Sequence, residues 1–321
     1  MKKIIGITIG DPAGIGPEIV LKSYKKIKKI KNCVPLIIAD IPVIERNLKY
    51  LKLKTKIKVI KKREEIDENF LNIFTPDIIK TVDFPVGFDN QLCGMASFQY
   101  VIEGINLWKR KVIDALVTCP ISKRAWHLAG YNYSGHTELL ADKLNEKKYA
   151  MVMVAGNYRV LLLTTHIPLK DVFIHLTENL IEEKVKIGYK FLRKLNIRNP
   201  KIGICGINPH AGEDGLLGKE EKEIIRPSIE KLKKIGIYIE GPYPADSIYR
   251  KKFDLIIAIF HDQALIPLKT FYFEKLINFT AGIKIVRTSP GHGTGFDIAY
   301  KNKANPESFI CAYNFAFKLI K

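Results

Sequence analysis

The sequence predicts an α/β protein with a mixed sheet. Short apolar runs alternate with longer amphipathic segments, as strands alternate with helices in such folds. A Gly156-Asn157 turn signal sits between two adjoining strand patterns and predicts an antiparallel pair. The chain has 321 residues, 47% of them hydrophobic, enough to bury a large core as two lobes or one large domain.

In order, residues 4–9 read as a buried strand, and residues 17–30 as a helix with Pro17 in its first turn. Residues 34–39 form a second strand pattern. Val101, Ile105, Leu107 and Trp108 suit a helix over 97–110, and residues 112–118 return to a buried strand that ends at Cys119-Pro120. The predicted hairpin pairs 151–155 with 159–165. Leu180, Ile181, Phe191, Leu192 and Leu195 share one face of a helix over 177–195. Residues 202–207 and 253–260 are strands, and Pro227 starts or interrupts a helix. No internal repeat or low-complexity linker interrupts this pattern.

Composition narrows the class. Five scattered cysteines with no Cys-x-x-Cys pair argue against a disulfide framework and favour a reducing, cytoplasmic setting. Residues 1–9 resemble a signal peptide briefly, but Asp11 and Pro12 interrupt the apolar run. No stretch approaches the roughly 18 apolar residues of a membrane span. The net charge of +19 could serve nucleic acid or an acidic membrane surface. Its lysines are spread along the whole chain, however, and no nucleic-acid-binding motif accompanies them. That spread looks like a whole-chain compositional bias more than one designed patch, and steering of an anionic substrate is easier to defend than nucleic-acid binding.

Three of the seven histidines follow apolar strand patterns: His166 after 159–165, His210 after 202–207 and His261 after 253–260. Taken singly, each has an ordinary explanation as a partner for a backbone group at a strand end. Together they gain significance, because ligands of open α/β sheets bind beyond the carboxyl ends of strands. Three neutral imidazoles with an open fourth position form the donor set of a catalytic divalent metal such as Zn2+ or Co2+. Two glycine-rich stretches, 10–18 and 287–299, offer backbone amides to an anion, although neither has the G-x-G-x-x-G spacing.

These residues stand within blocks that resemble the 4-hydroxythreonine-4-phosphate dehydrogenase family of vitamin B6 biosynthesis. The blocks include Gly10-Asp-Pro-Ala-Gly-Ile-Gly-Pro-Glu18, Pro120-Ile-Ser-Lys123, Gly135-His-Thr-Glu138 and Asn208-Pro-His-Ala-Gly-Glu213. Gly241-Pro-Tyr-Pro-Ala-Asp246, His261-Asp-Gln-Ala-Leu-Ile-Pro-Leu-Lys269 and Arg287-Thr-Ser289 continue the series in order. His292-Gly-Thr294 through Asp297-Ile-Ala299 is also similar to the cofactor loop of isocitrate and isopropylmalate dehydrogenases. Departures are Ala264, Gly295 and Tyr300-Lys-Asn, at positions where the family commonly has glycine, alanine and a more glycine-rich run.

The resemblance implies a two-lobed isocitrate/isopropylmalate dehydrogenase-like fold with an interlobe active-site cleft. Residues 1–120 with 285–321 would form the cofactor-side lobe, and 121–284 the substrate, metal and dimerisation lobe. It implies NAD or NADP, and one divalent metal (Zn2+, Mg2+ or Co2+) held by His166, His210 and His261. Substrate would be bound by His136, Thr137, Lys269, Asn278 and Arg287, with Lys269 also a catalytic candidate. The cofactor would lie against His292, Gly293, Thr294, Gly295 and Asp297. A homodimer is expected to share its sites, His166 and His210 of one subunit meeting His261 of the other. The implied reaction oxidises 4-phosphohydroxy-L-threonine. A related phosphorylated four-carbon acid such as a phosphothreonate is the nearest rival substrate, and a basic nucleic-acid-binding role the rival of another class.

Overall fold

The isoleucine-rich stretch at the start of the chain forms β1 (Lys3–Thr8), buried along nearly its whole length because helices cover both faces of a parallel sheet. A computed structural model describes residues 2–321 and divides into two units, one up to Lys147 and again from Lys284 to Lys321, the other Lys148–Ile283. In the first unit β1 is joined by β2 (Cys33–Ile38), β3 (Ile57–Val59), β4 (Leu71–Phe74), β5 (Ala115–Thr118) and β12 (Val286–Pro290). Their order is β3-β4-β2-β1-β5-β12, and every neighbouring pair is parallel.

The helices of this unit are α1 (Gly16–Ile27), α2 (Ile41–Tyr50), α3 (Gln91–Lys109), α4 (Lys123–Leu128), α5 (His136–Leu144) and α10 (Glu307–Ile320). The third starts well before the predicted residue 97, because the Asn90 side chain accepts the Cys93 N–H at 2.9 Å and supplies an N-cap. Residues 121–147, expected in the second lobe, pack with the first. Trp126 of α4 is fully buried, donates Nε1–H to Ser97 Oγ at 2.9 Å and meets Phe98 edge-on at 5.3 Å. Gly94 permits this approach, since a Cβ there would lie 2.0 Å from the Ala125 carbonyl oxygen. No sequence period reports such a contact.

The second unit contains β6 (Ala150–Ala155), β7 (Tyr158–Leu162), β8 (Ile202–Cys205), β9 (Ile239–Tyr243), β10 (Leu255–Ala258) and β11 (Ile277–Ala281). The order is β11-β6-β7-β10-β8-β9. Here the expected hairpin is present: β6 and β7 pair antiparallel around Gly156-Asn157, with Ala155 opposite Tyr158. The β11 pairing with β6 is antiparallel too, whereas β7, β10, β8 and β9 run parallel, so the sheet is mixed. Helices are α6 (Leu169–His175), α7 (Glu178–Lys194), α8 (Arg226–Lys234) and α9 (His261–Tyr272). Thr177 caps α7 through the Leu180 N–H, and Pro227 opens α8 as its position requires.

Register places Ile256 beside both Val160 and Gly203. Being parallel, the three strands release their following loops at one edge of the sheet. Among the described residues no helix is long and apolar enough to cross a membrane, and none of the five cysteines is paired in a disulfide.

Candidate active site

All three sequence-selected histidines lie in the second unit, on loops leaving that edge. His261 is the first residue of α9, three residues beyond the end of β10. His166 comes four residues beyond the observed end of β7, later than the predicted strand implies. Its ring and that of His261 have centroids 6.1 Å apart within one chain, although the two were expected from different subunits. His210 sits in the turn Pro209–Gly215, where residues 210–214 all have positive φ. Left-handed backbone costs about 1–2 kcal/mol per non-glycine residue, so such a run persists only where its surroundings hold it.

Among the described residues no three His, Cys, Asp or Glu side chains stand close enough to hold a metal. The donor chemistry nevertheless suits one. His210 Nδ1 lies 2.6 Å from Glu213 Oε1, and His261 Nδ1 lies 2.7 Å from Asp262 Oδ1. A carboxylate only accepts, so each Nδ1 acts as the donor, and in the neutral ring that tautomer leaves a lone pair on Nε2, the arrangement of metal-ligating imidazoles. In the same unit Lys269 is exposed in the last turn of α9. Asn278, on β11, has a buried Oδ1 without a hydrogen-bond partner.

The first unit carries a different constellation. Arg287, on β12, is 2% exposed and donates Nε–H and Nη2–H to Thr118 Oγ1 at 2.9 and 2.7 Å. Burial lowers its guanidinium to about 10, opposed by the Glu138 carboxylate. His136 and Thr137 open α5, where free amides and the helix dipole favour an anion. Burial, then the Arg287 charge, holds His136 well below the usual imidazole range, and its Nε2 is buried without a hydrogen-bond partner.

The sequence-selected cofactor residues follow β12. His292 Nδ1 lies 3.0 Å from the Gly293 carbonyl oxygen, its Nε2 is buried without a partner, and burial lowers its pKa. The Thr294 carbonyl accepts the Ile15 N–H at 2.9 Å, which joins this loop to the other glycine-rich stretch. Gly295 has φ +54, a left-handed conformation that explains glycine in place of alanine, and the exposed Asp297 lies in the turn Phe296–Ile298.

One group here escaped the sequence reading. Asp11, in the first glycine-rich stretch, is fully buried. Its Oδ1 accepts the Ala13 N–H at 2.9 Å, while Oδ2 has no partner. Burial pushes its carboxyl up to about 7, with the Asp89 charge adding to the rise against the Ala13 and Ser122 amides. Gly10-Asp-Pro read as turn chemistry, and nothing local signals this burial.

The chain is similar to known proteins over nearly its whole length. The signature of the family described as "Pyridoxal phosphate biosynthetic protein PdxA" matches residues 31–316. The 4-hydroxythreonine-4-phosphate dehydrogenase of Sulfurihydrogenibium sp. is 40% identical, over 98% of this chain and 98% of that protein. The D-threonate 4-phosphate dehydrogenase of Pectobacterium atrosepticum is 36% identical, over 99% of this chain and all of that one (100%). The crystal structure of the 4-hydroxythreonine-4-phosphate dehydrogenase of Klebsiella pneumoniae superposes with a TM-score of 0.89 at 32% identity, covering 100% of this chain and 98% of that one. At the level of fold alone, a β-decarboxylating dehydrogenase of Thermococcus kodakarensis gives a TM-score of 0.52 at 12% identity, over 99% and 83% of the two chains. The expected isocitrate/isopropylmalate-type α/β fold is therefore present, and the chain is a dehydrogenase that belongs to the PdxA family of pyridoxal phosphate biosynthetic proteins.

Proposed function

We propose that this enzyme oxidises 4-phosphohydroxy-L-threonine with NAD or NADP. The nicotinamide, when bound, would accept the carbinol hydrogen as hydride, with release of the hydroxyl proton. The product, 2-amino-3-oxo-4-(phosphooxy)butanoate, is a 3-oxo acid that loses CO2 to give 3-amino-2-oxopropyl phosphate. The observation that carries this reading is the cation beside a helix N-terminus: Arg287, buried at 2% exposure, with His136 and Thr137 opening α5.

In the first unit, His136 and Thr137 bind the substrate phosphate, aided by the α5 amides. Arg287 holds an anionic group of the substrate with its planar fork. The segment His292, Gly293, Thr294, Gly295 and Asp297 carries the nicotinamide cofactor. In the second unit, Asn278 presents an acceptor suited to the substrate ammonium, and Lys269 takes the hydroxyl proton or pairs with phosphate. His166, His210 and His261 would hold a divalent cation, Zn2+, Mg2+ or Co2+, which supplies Lewis acidity at the substrate hydroxyl. A homodimer would share these sites between its subunits, as the family resemblance implies.

A second reading, oxidation of D-threonate 4-phosphate, is favoured by the relatives of comparable identity that bear that name. The two substrates differ at C2, an ammonium against a hydroxyl. Measuring NAD and NADP reduction on both, with and without chelator, tests the proposal. A higher kcat/KM on 4-phosphohydroxy-L-threonine is expected. Turnover confined to the threonate would select the second reading, and turnover of neither would reject both.

A further inference from the structure

We propose that Gln263 is a positioning residue that fixes the His210 and His261 loops relative to one another, an inference that rests on the histidine-metal reading above. Its side chain joins the carboxyl ends of two strands. Oε1 accepts the Ile259 N–H at 2.8 Å, directly after β10, and Nε2 donates to the Gly206 carbonyl at 2.8 Å, directly after β8. The Gln263 carbonyl in turn accepts the Tyr249 hydroxyl at 2.6 Å, which anchors the residue from its other side.

Both ends of this link continue toward the histidines. The Ile259 carbonyl accepts the hydroxyl of Thr164 at 2.7 Å and its N–H at 3.1 Å, two residues before His166. Beyond Gly206, the Glu221 carboxylate, 3% exposed, accepts the N–H groups of Ile207 and Asn208, each at 2.8 Å. Its second oxygen accepts from Asn208 Nδ2 at 2.9 Å. The left-handed turn carrying His210 begins immediately after, so its root is held by Glu221 on one side and by Gln263 on the other. His261 lies two residues from Gln263 itself.

The task requires one acceptor and one donor on a single planar group of this length. Glutamine supplies both, and the two backbone partners dictate which end is oxygen. Glutamate at this position would keep the bond to Ile259 and turn a carboxylate oxygen toward the Gly206 carbonyl, setting acceptor against acceptor without changing shape. Methionine would remove both bonds at nearly the same volume.

The test uses the full-length protein, titrated with Co2+ and read by the visible absorption of the bound ion, alongside thermal melting without metal. Gln263→Glu and Gln263→Met are compared with Tyr24→Phe, which removes a still shorter bond (Tyr24 hydroxyl to Phe70 carbonyl, 2.6 Å) in the other unit. Groups supporting metal ligands are typically worth about 10–100-fold in affinity, so both Gln263 variants should raise the Co2+ Kd by about that factor and change the band intensity. Tyr24→Phe should leave Kd and spectrum unchanged. Wild-type Kd and spectrum in whichever Gln263 variant retains its fold would overturn the positioning role, as would an equal change in Tyr24→Phe. Failure of the wild-type protein itself to bind Co2+ would overturn the metal reading first, an outcome separate from the other two.

Discussion

Replacing Asp11 by Asn should flatten the dependence of stability on pH between 5 and 8. The carboxyl is fully buried, one oxygen has no partner, and burial lifts its pKa from the ordinary 3.8 to about 7. Between those values the folded protein keeps a proton that the unfolded chain releases. The stabilisation from this raised value is therefore fully present below 3.8 and is lost as pH rises through about 7. A gap of about three pH units, at about 1.4 kcal/mol each, amounts to about 4 kcal/mol. Roughly 2–3 kcal/mol of it falls between pH 5 and 8. Asparagine is neutral throughout, of similar shape, and keeps the acceptor for the Ala13 amide. Urea unfolding at several pH values, followed by fluorescence, measures the effect in the right place, because both tryptophans, Trp108 and Trp126, lie in the first unit with Asp11. The wild-type protein should lose roughly 2–3 kcal/mol more than Asp11→Asn across that interval. Parallel pH profiles for the two proteins would refute the neutral buried carboxyl.

Other expectations follow from the same structure. Arg287→Lys keeps the charge but loses the fork that meets Thr118 and an anion. It should lower kcat/KM by about 10–100-fold, and wild-type kinetics would leave Arg287 a structural role. Chelation should abolish NAD(P) reduction and added Zn2+, Mg2+ or Co2+ restore it; full activity in metal-free protein would remove the cation from the reaction. If the sites are shared, mixing inactive His166→Ala subunits with either His261→Ala or His210→Ala subunits should recover activity in one pairing, at up to about half the wild-type level per heterodimer if sites act independently. Recovery in neither pairing after demonstrated subunit exchange would place all three histidines of a site on one chain.

Local order was legible in the chain itself. The runs that became β1, β2, β5, β8 and β10 announce themselves by unbroken apolar character, and Gly156-Asn157 announces the β6–β7 hairpin, because strand burial and turn geometry are properties of a few adjacent residues. The same locality placed His210 and His261 after strands, and motif order marked Arg287 and His136. It misplaced the start of α3, where the Asn90 cap decides the boundary, and the membership of residues 121–147, where Trp126 and Gly94 decide it by contact. Parallel register between strands distant in sequence sets the three histidine loops on one edge, and only burial makes Asp11 a near-neutral acid and Arg287 a desolvated cation. Gln263 belongs with these: an ordinary helix residue in sequence, it is a bridge in space because Ile259 and Gly206 are brought to opposite ends of one amide. Residue type and period fix what each segment buries, whereas dielectric, charge pairing and hydrogen-bond partners across the chain exist only after the segments have met.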